Sequence, residues 1–214
     1  MPRRTKTPID PRKKPQQARS TELVAAILEA AIRVLEREGA RRFTTIRVAA
    51  AAGVSVGSLY QYFPNKEAIL FRLQVDEWAR TSALLDGIFA DRSLPPPERL
   101  RAVMRAFFAS ERDEAPLRLA LDALGPTFAD APEALAVRAR SERIARAFVR
   151  EAAPHASPAE QRFAMSLLMM TMGALGKEVS ELDLSPAARD RWADAVAAML
   201  MGHLATLDRR RLER

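Results

Sequence analysis

An all-α fold in two parts, a small N-terminal three-helix domain and a larger C-terminal helical domain, is predicted by three features of this chain. Apolar residues recur at three- and four-residue spacing from Ser20 almost to the C-terminus, no segment alternates apolar with polar as a half-buried strand would, and prolines stand at the boundaries of the helical runs. With 214 residues, 48% of them hydrophobic, the chain is long enough to bury a core in each part.

Residues 1–19 hold seven Arg and Lys against Asp10, together with four prolines, and residues 209–214 hold four Arg against Glu213. The two tails thus carry more positive charge than the net +7 of the whole chain, and the body between them is nearly neutral. The N-terminal arm has too little apolar surface to offset its ordering entropy and is expected to be disordered in the free protein, available to reach phosphates or a minor groove. Helix follows from Ser20 to Glu38, with Leu23, Ile27, Ala30, Ala31, Val34 and Leu35 on one face and Gly39 as its stop.

The run from Thr44 to Glu67, TTIRVAAAAGVSVGSLYQYFPNKE, reads as a helix-turn-helix. Thr44 or Thr45 can cap the first helix, whose buried face is supplied by Ile46, Val48, Ala49 and Ala52. Gly53 tolerates the left-handed backbone that ends it, Val54 plugs the corner, and Ser55 can cap the next helix. The alanines from Ala49 to Ala52 let the two helices cross closely. In the second helix Leu59 and Phe63 anchor inward at i and i+4, leaving Val56, Gly57, Ser58, Gln61 and Tyr62 to face outward, a pattern suited to the major groove of DNA.

With Thr45, Ala49, Gly53, Val54, Leu59, Tyr60, Phe63 and Lys66 in the arrangement TTIRVAAAAGVSVGSLYQYFPNKEAIL, the segment resembles the N-terminal DNA-binding domain of the TetR/AcrR family of bacterial transcriptional regulators, over roughly residues 20–73. The resemblance implies that Thr45, Ser55, Tyr60, Tyr62 and Lys66 contact DNA phosphates and that Val56, Gly57, Ser58 and Gln61 form the base-facing part of the recognition helix. Where relatives often have His at the position of Tyr62, this chain has Tyr, whose phenol can still donate to a phosphate. The resemblance also implies a homodimer paired through its last two long helices, a double-stranded DNA operator, and release of a repressor by a small molecule.

Beyond the helix-turn-helix, helices are expected from Asn65 to about Ala90, Glu98 to Arg112, Ala115 to Phe128, Pro132 to Ala152, Pro158 to Glu181 and Pro186 to Asp208. The domains expected are the arm at 1–19, the helix-turn-helix at 20–66, the ligand-binding and dimerisation domain at 67–208 and the basic tail at 209–214. The penultimate helix is apolar on most sides around Leu168, Met169 and Met170, and Ala193, Val196, Leu200 and Leu204 stripe the last one. Two such helices from each subunit, residues 158–208, can form a four-helix interface. A pocket for a largely apolar effector is expected among Trp78, Met104, Phe107, Phe108, Leu121, Phe128, Phe148 and Met169, with Phe89 and Leu124 nearby and Arg118, Glu142, Arg143 and His155 as polar candidates.

Other classes fit less well. No phosphate-binding loop, dinucleotide fingerprint, zinc-protease motif or nucleophile elbow is present, so no enzymatic activity is expected. Without cysteine, and with only two histidines, the chain is expected to use neither metal nor other cofactor. Its apolar stretches fall short of a membrane span of about 20 residues, and its basic N-terminus lacks a signal-peptide core, so a cytoplasmic protein is expected. Two alternatives stay open: a DNA-binding regulator governed by a protein partner, and a nonspecific architectural DNA binder.

Overall fold

The computed structural model describes residues 18–122 and 131–212. The basic arm up to residue 17, residues 213–214, Leu124 and Phe128 lie outside what it describes, as do the side chains of Arg19, Arg118, Leu121 and residues 209–212. Among the described residues there are eight α-helices, one short 3-10 turn at Ala40–Arg42, and no strand. The helices are α1 (Ala18–Glu38), α2 (Thr45–Ala52), α3 (Val56–Tyr60), α4 (Lys66–Ala90), α5 (Pro96–Asp122), α6 (Pro132–Ala152), α7 (Pro158–Glu181) and α8 (Pro186–Leu212). No described helix is long and apolar enough to cross a membrane.

Local chemistry explains most of these boundaries. Gly39 adopts φ 73° and its amide donates to the Leu35 carbonyl at 3.0 Å, which closes α1 in a conformation that a residue with a Cβ rarely takes. Asn65 Oδ1 accepts from the Ala68 amide at 2.8 Å and so starts α4 one residue later than the spacing alone suggests. Prolines open α5 through α8, where the missing amide would have had no partner. At α7 the opening is reinforced by a capping box, in which the Ser157 hydroxyl accepts from the Glu160 amide and the Glu160 carboxylate accepts from the Ser157 amide at 2.7 Å.

One expectation is corrected. The two helices anticipated at Glu98–Arg112 and Ala115–Phe128 are a single α5 that runs through Pro116. A proline there removes the amide that would have bonded the Arg112 carbonyl, a defect that one helix interior can carry when its flanks are held. They are held: Phe107 and Phe108 pack before the proline, while Leu117 and Ala120 pack after it.

The chain divides into two compact units, and the division cuts α4, α5 and α6. The first unit takes the described residues up to Glu77 and from Pro116 to Ala134; the second takes Trp78–Ala115 and Leu135 onward. The first core is built by Ile27, Ala31 and Val34 of α1, Phe43, Val48 and Ala49, Leu59 of α3, Phe63, and Ile69 and Leu73 of α4. The second joins Leu100, Val103, Met104 and Phe108 of α5 to Phe148 of α6, Leu168 and Met172 of α7, and Val196 and Leu200 of α8. Within it α7 lies hard against α5 at Gly176, where a Cβ would come 2.6 Å from Phe107 Cε1. The side chain of Arg105 grips Asp194 of α8 through two hydrogen bonds of 2.7 and 2.6 Å.

Candidate nucleic-acid interface and ligand cavity

The helix-turn-helix forms through three hydroxyl or glycine positions. Of the two candidate caps Thr44 does the work: its hydroxyl accepts from the Arg47 amide at 3.3 Å. Gly53 ends α2 in the left-handed region, φ 68° and ψ 28°, and the Val54 amide returns to the Ala49 carbonyl at 3.0 Å. Ser55 then caps α3, accepting from the Ser58 amide at 3.0 Å while its hydroxyl lies 2.8 Å from that of Ser58.

The named residues fall into three environments. Ser55, Gly57, Tyr60 and Gln61 are exposed, and Ser58 and Lys66 are half-buried. Thr45 is buried, and its hydroxyl shares a 3.1 Å hydrogen bond with the phenol of Tyr60, which fixes that ring on the surface of α3. Val56 packs its side chain partly against the first core. Tyr62 differs from its outward placement in the sequence reading: it is 6% exposed and belongs to that core, because the chain leaves α3 at Gln61 and turns the next two rings, Tyr62 and Phe63, inward. Cations that the sequence reading did not single out also stand on this unit. Arg41 and Arg42 are exposed, Arg47 pairs with Glu38, and Arg33 donates to the Ala51 carbonyl at 3.3 Å.

The second unit holds a cavity of about 200 Å³ among α4, α5, α6 and α7. Trp78, Phe107 and Met169 line it, as does Phe89, joined by Leu85 and Ile144. Three other expected lining residues do not. Met104 and Phe108 are fully buried packing in the second core, and Phe148 packs there against Phe89, ring centroids 5.0 Å apart, at the edge of a separate hollow beside Arg92 and Glu151. The periodicity that marks a residue as inward-facing does not say whether a neighbour fills the space it faces. The polar wall was not foreseen: it consists of Thr81, Ser82, Asp86, Glu111, Glu114 and Ser141. Glu142 and Arg143 do not line the cavity, and His155 is engaged elsewhere, its amide donating to Asp208 at 2.8 Å.

The described surface of α7 and α8 carries large apolar side chains. Phe163 and Met170 are 61% and 73% exposed on α7, and Trp192 and Met199 are 45% and 58% exposed on α8. Each pair is seven residues apart, two turns along one helix face. Leu168, at the centre of the apolar run, points instead into the core at 2% exposure, and Met169 faces the cavity.

Two family models match the chain. Residues 27–73 match "Bacterial regulatory proteins, tetR family", and residues 95–207 match "Tetracyclin repressor-like, C-terminal domain". No protein of curated function matches the sequence. Among solved structures, the fold is similar to that of a protein from Pseudomonas aeruginosa PAO1 assigned as a transcriptional regulator, with TM-score 0.66, 21% identity, and 90% of this chain and 100% of that one covered. It is also similar to the fatty acid degradation regulator FadR from Bacillus halodurans, with TM-score 0.63, 18% identity, and 89% and 97% covered. A further likeness is to FadR from Bacillus subtilis, solved in complex with stearoyl-CoA, with TM-score 0.63, 16% identity, and 84% and 98% covered. At these identities the likeness establishes the fold alone.

Proposed function

Because this chain belongs to the tetR family of bacterial regulatory proteins, matched over both its N-terminal and its C-terminal part, we propose that it is a cytoplasmic repressor that binds a palindromic operator as a homodimer and is released by a small molecule. The observation that carries this reading is the coexistence in one chain of a capped helix-turn-helix with Gln61, Tyr60 and Ser55 exposed and, in a separate unit, a cavity with Trp78, Phe107 and Met169 on its wall. A regulator of similar fold was solved with a bound ligand, stearoyl-CoA, which supports a ligand-binding role for the second unit.

In this reading Gly57, Ser58 and Gln61, with the exposed edge of Val56, present the base-reading surface. Ser55, Tyr60 and Lys66, and Thr45 through its bond to Tyr60, hold phosphates, and the basic arm adds contacts beyond the recognition helix. Tyr62 serves by packing. The exposed pairs Phe163 and Met170, Trp192 and Met199 form the dimer face, which sets two copies of α3 about 34–36 Å apart, one turn of DNA. Helix α4 belongs to both tasks, because it begins with Lys66 and continues to the cavity residues Trp78, Leu85 and Phe89. A ligand that displaces those residues changes the spacing of the two reading heads, and a coupling of about 1–3 kcal/mol, roughly 5–150-fold in affinity, suffices for release.

Base readers and phosphate holders are separable by experiment. Lys66→Ala is expected to weaken binding to every duplex alike and to reduce the slope of log affinity on log salt by about one. Gln61→Ala is expected to cost about 1–3 kcal/mol at one operator position and to relax the preference there, with the salt slope unchanged. Titrations at several salt concentrations check both, and a Lys66→Ala protein with an altered sequence preference and an intact slope would overturn the assignment.

A further inference from the structure

The cavity of the second unit has on its wall a hydroxyl whose bonding is incomplete. Ser82 lines it from α4. The residue is 6% exposed, and its Oγ is shielded from water without any hydrogen-bond partner. A serine inside a helix often donates back to the carbonyl a turn earlier, and this one does not. Its neighbour on the same wall, Thr81, shows the contrast, since that hydroxyl donates to the Glu114 carboxylate at 3.1 Å. A buried hydroxyl left unmatched is unfavourable unless something supplies the missing bond. No hydrogen bond holds the Ser82 side chain in its rotamer, so a turn about χ1 towards an occupant of the cavity breaks nothing.

The rest of the wall sets the size and character of that occupant. Trp78, Leu85, Phe107, Ile144 and Met169 give the cavity an apolar lining, and its volume is about 200 Å³. An apolar cavity of about 150 Å³ accepts benzene, so one ring with a short substituent fits this one.

We infer that the effector is a compact lipophilic alcohol or phenol, whose hydroxyl completes the bonding of Ser82 while its apolar body lies against Trp78, Phe107 and Met169. This inference rests on the reading of the cavity as the effector site. A hydroxyl both donates and accepts, as serine does, so the pair can form in either direction. It is also neutral, and it enters an apolar site without the desolvation cost that a charged group carries.

Four probes of similar size test it on the full-length protein by calorimetry at pH 7: 4-ethylphenol, ethylbenzene, 4-ethylbenzoate and 4-ethylbenzylamine. The phenol is expected to bind about five- to tenfold more tightly than ethylbenzene, the increment of one buried hydrogen bond, and more tightly than either charged probe. Ser82→Ala should bring the phenol to within about twofold of ethylbenzene and leave ethylbenzene itself unmoved, because only the phenol uses the hydroxyl. The variant deletes a group that makes no bond, so its Tm should not fall below that of the wild type; the comparison of probes on the wild type needs no variant at all. Equal binding of the phenol and ethylbenzene, tighter binding of either charged probe, absence of binding by all four, or a phenol advantage that survives Ser82→Ala would each overturn the inference. The same titrations with operator DNA present separate it from the reading beneath it. A charged or hydroxyl-free probe that binds best and releases operator removes the alcohol and keeps the ligand-released repressor, whereas a Ser82-dependent phenol that never affects operator affinity does the reverse.

Discussion

Replacing Glu151 with alanine is expected to destabilise the second unit by about 2–3 kcal/mol and to lower Tm by roughly 5–10 °C. The reason lies in Arg99, a guanidinium only 1% exposed. Its Nη1 donates to the Phe89 carbonyl at 2.8 Å, its Nη2 pairs with Glu151, and its charge stands 5.7 Å from the centroid of the Phe148 ring. Its Nε is buried without a partner, so Glu151 is its principal compensation. Removing one member of a fully buried pair costs about 3–5 kcal/mol, and the loss expected of this pair is smaller because Glu151 is 35% exposed and partly screened by water.

The pair also fixes a pH dependence. The hydrogen bond from Arg99 holds the Glu151 carboxyl below its ordinary value of 4.5. The contribution to stability is therefore fully present above that value and is lost as pH falls through the lower folded value. The gap between the wild type and Glu151→Ala in urea denaturation should be constant near neutrality and shrink below about pH 4. A neutral-pH difference under about 1 kcal/mol would show that the buried guanidinium is solvated or compensated by another route.

The second large effect concerns assembly. A Met170→Glu, Met199→Glu double substitution is expected to yield a folded monomer at micromolar concentration and to lower operator affinity by at least about 100-fold, since each head then meets its half-site alone. Both residues are more than half exposed in the isolated subunit, so the stability of the monomer should change by no more than about 0.5 kcal/mol per site. The interface, by contrast, would have to desolvate an unpaired carboxylate at each position. Leu168→Glu is the control: at 2% exposure it should unfold the unit itself. A double variant that sediments as a dimer would place the pairing surface elsewhere.

The boundaries of the helix-turn-helix were legible in the sequence, because each rests on a local device: the Thr44 hydroxyl, the positive φ of Gly53, the Ser55 cap; its packing face was less so, since Ile46, expected in the buried face of α2, is 65% exposed. The prolines at the starts of α6, α7 and α8 acted equally locally. Pro116 misled for the same reason, since its local cost is real and packing by Leu117 and Ala120 on the far side outweighs it. What no periodicity discloses is which inward-facing residue meets empty space. Met104 and Phe107 lie one turn apart on α5, yet one is closed over and the other borders the cavity. Ser82 and Glu114 were invisible because a lone Ser or Glu on a helix ordinarily faces solvent, and only the neighbouring helices bury them. The apolar centre of α7 had two inward uses, Leu168 in the core and Met169 at the cavity, and the residue left exposed is Met170.

Selection of bound sequences from a pool of random duplexes, using the full-length protein at a salt concentration that strips nonspecific complexes, shows whether the protein reads a specific operator as a dimer. Enrichment is expected of an inverted repeat whose half-site centres lie about one helical turn apart, roughly 10–10.5 base pairs, or a multiple of it. Recovery of duplexes with no common sequence, all released at the same moderate salt, would contradict it and leave a nonspecific binder that uses its basic tails.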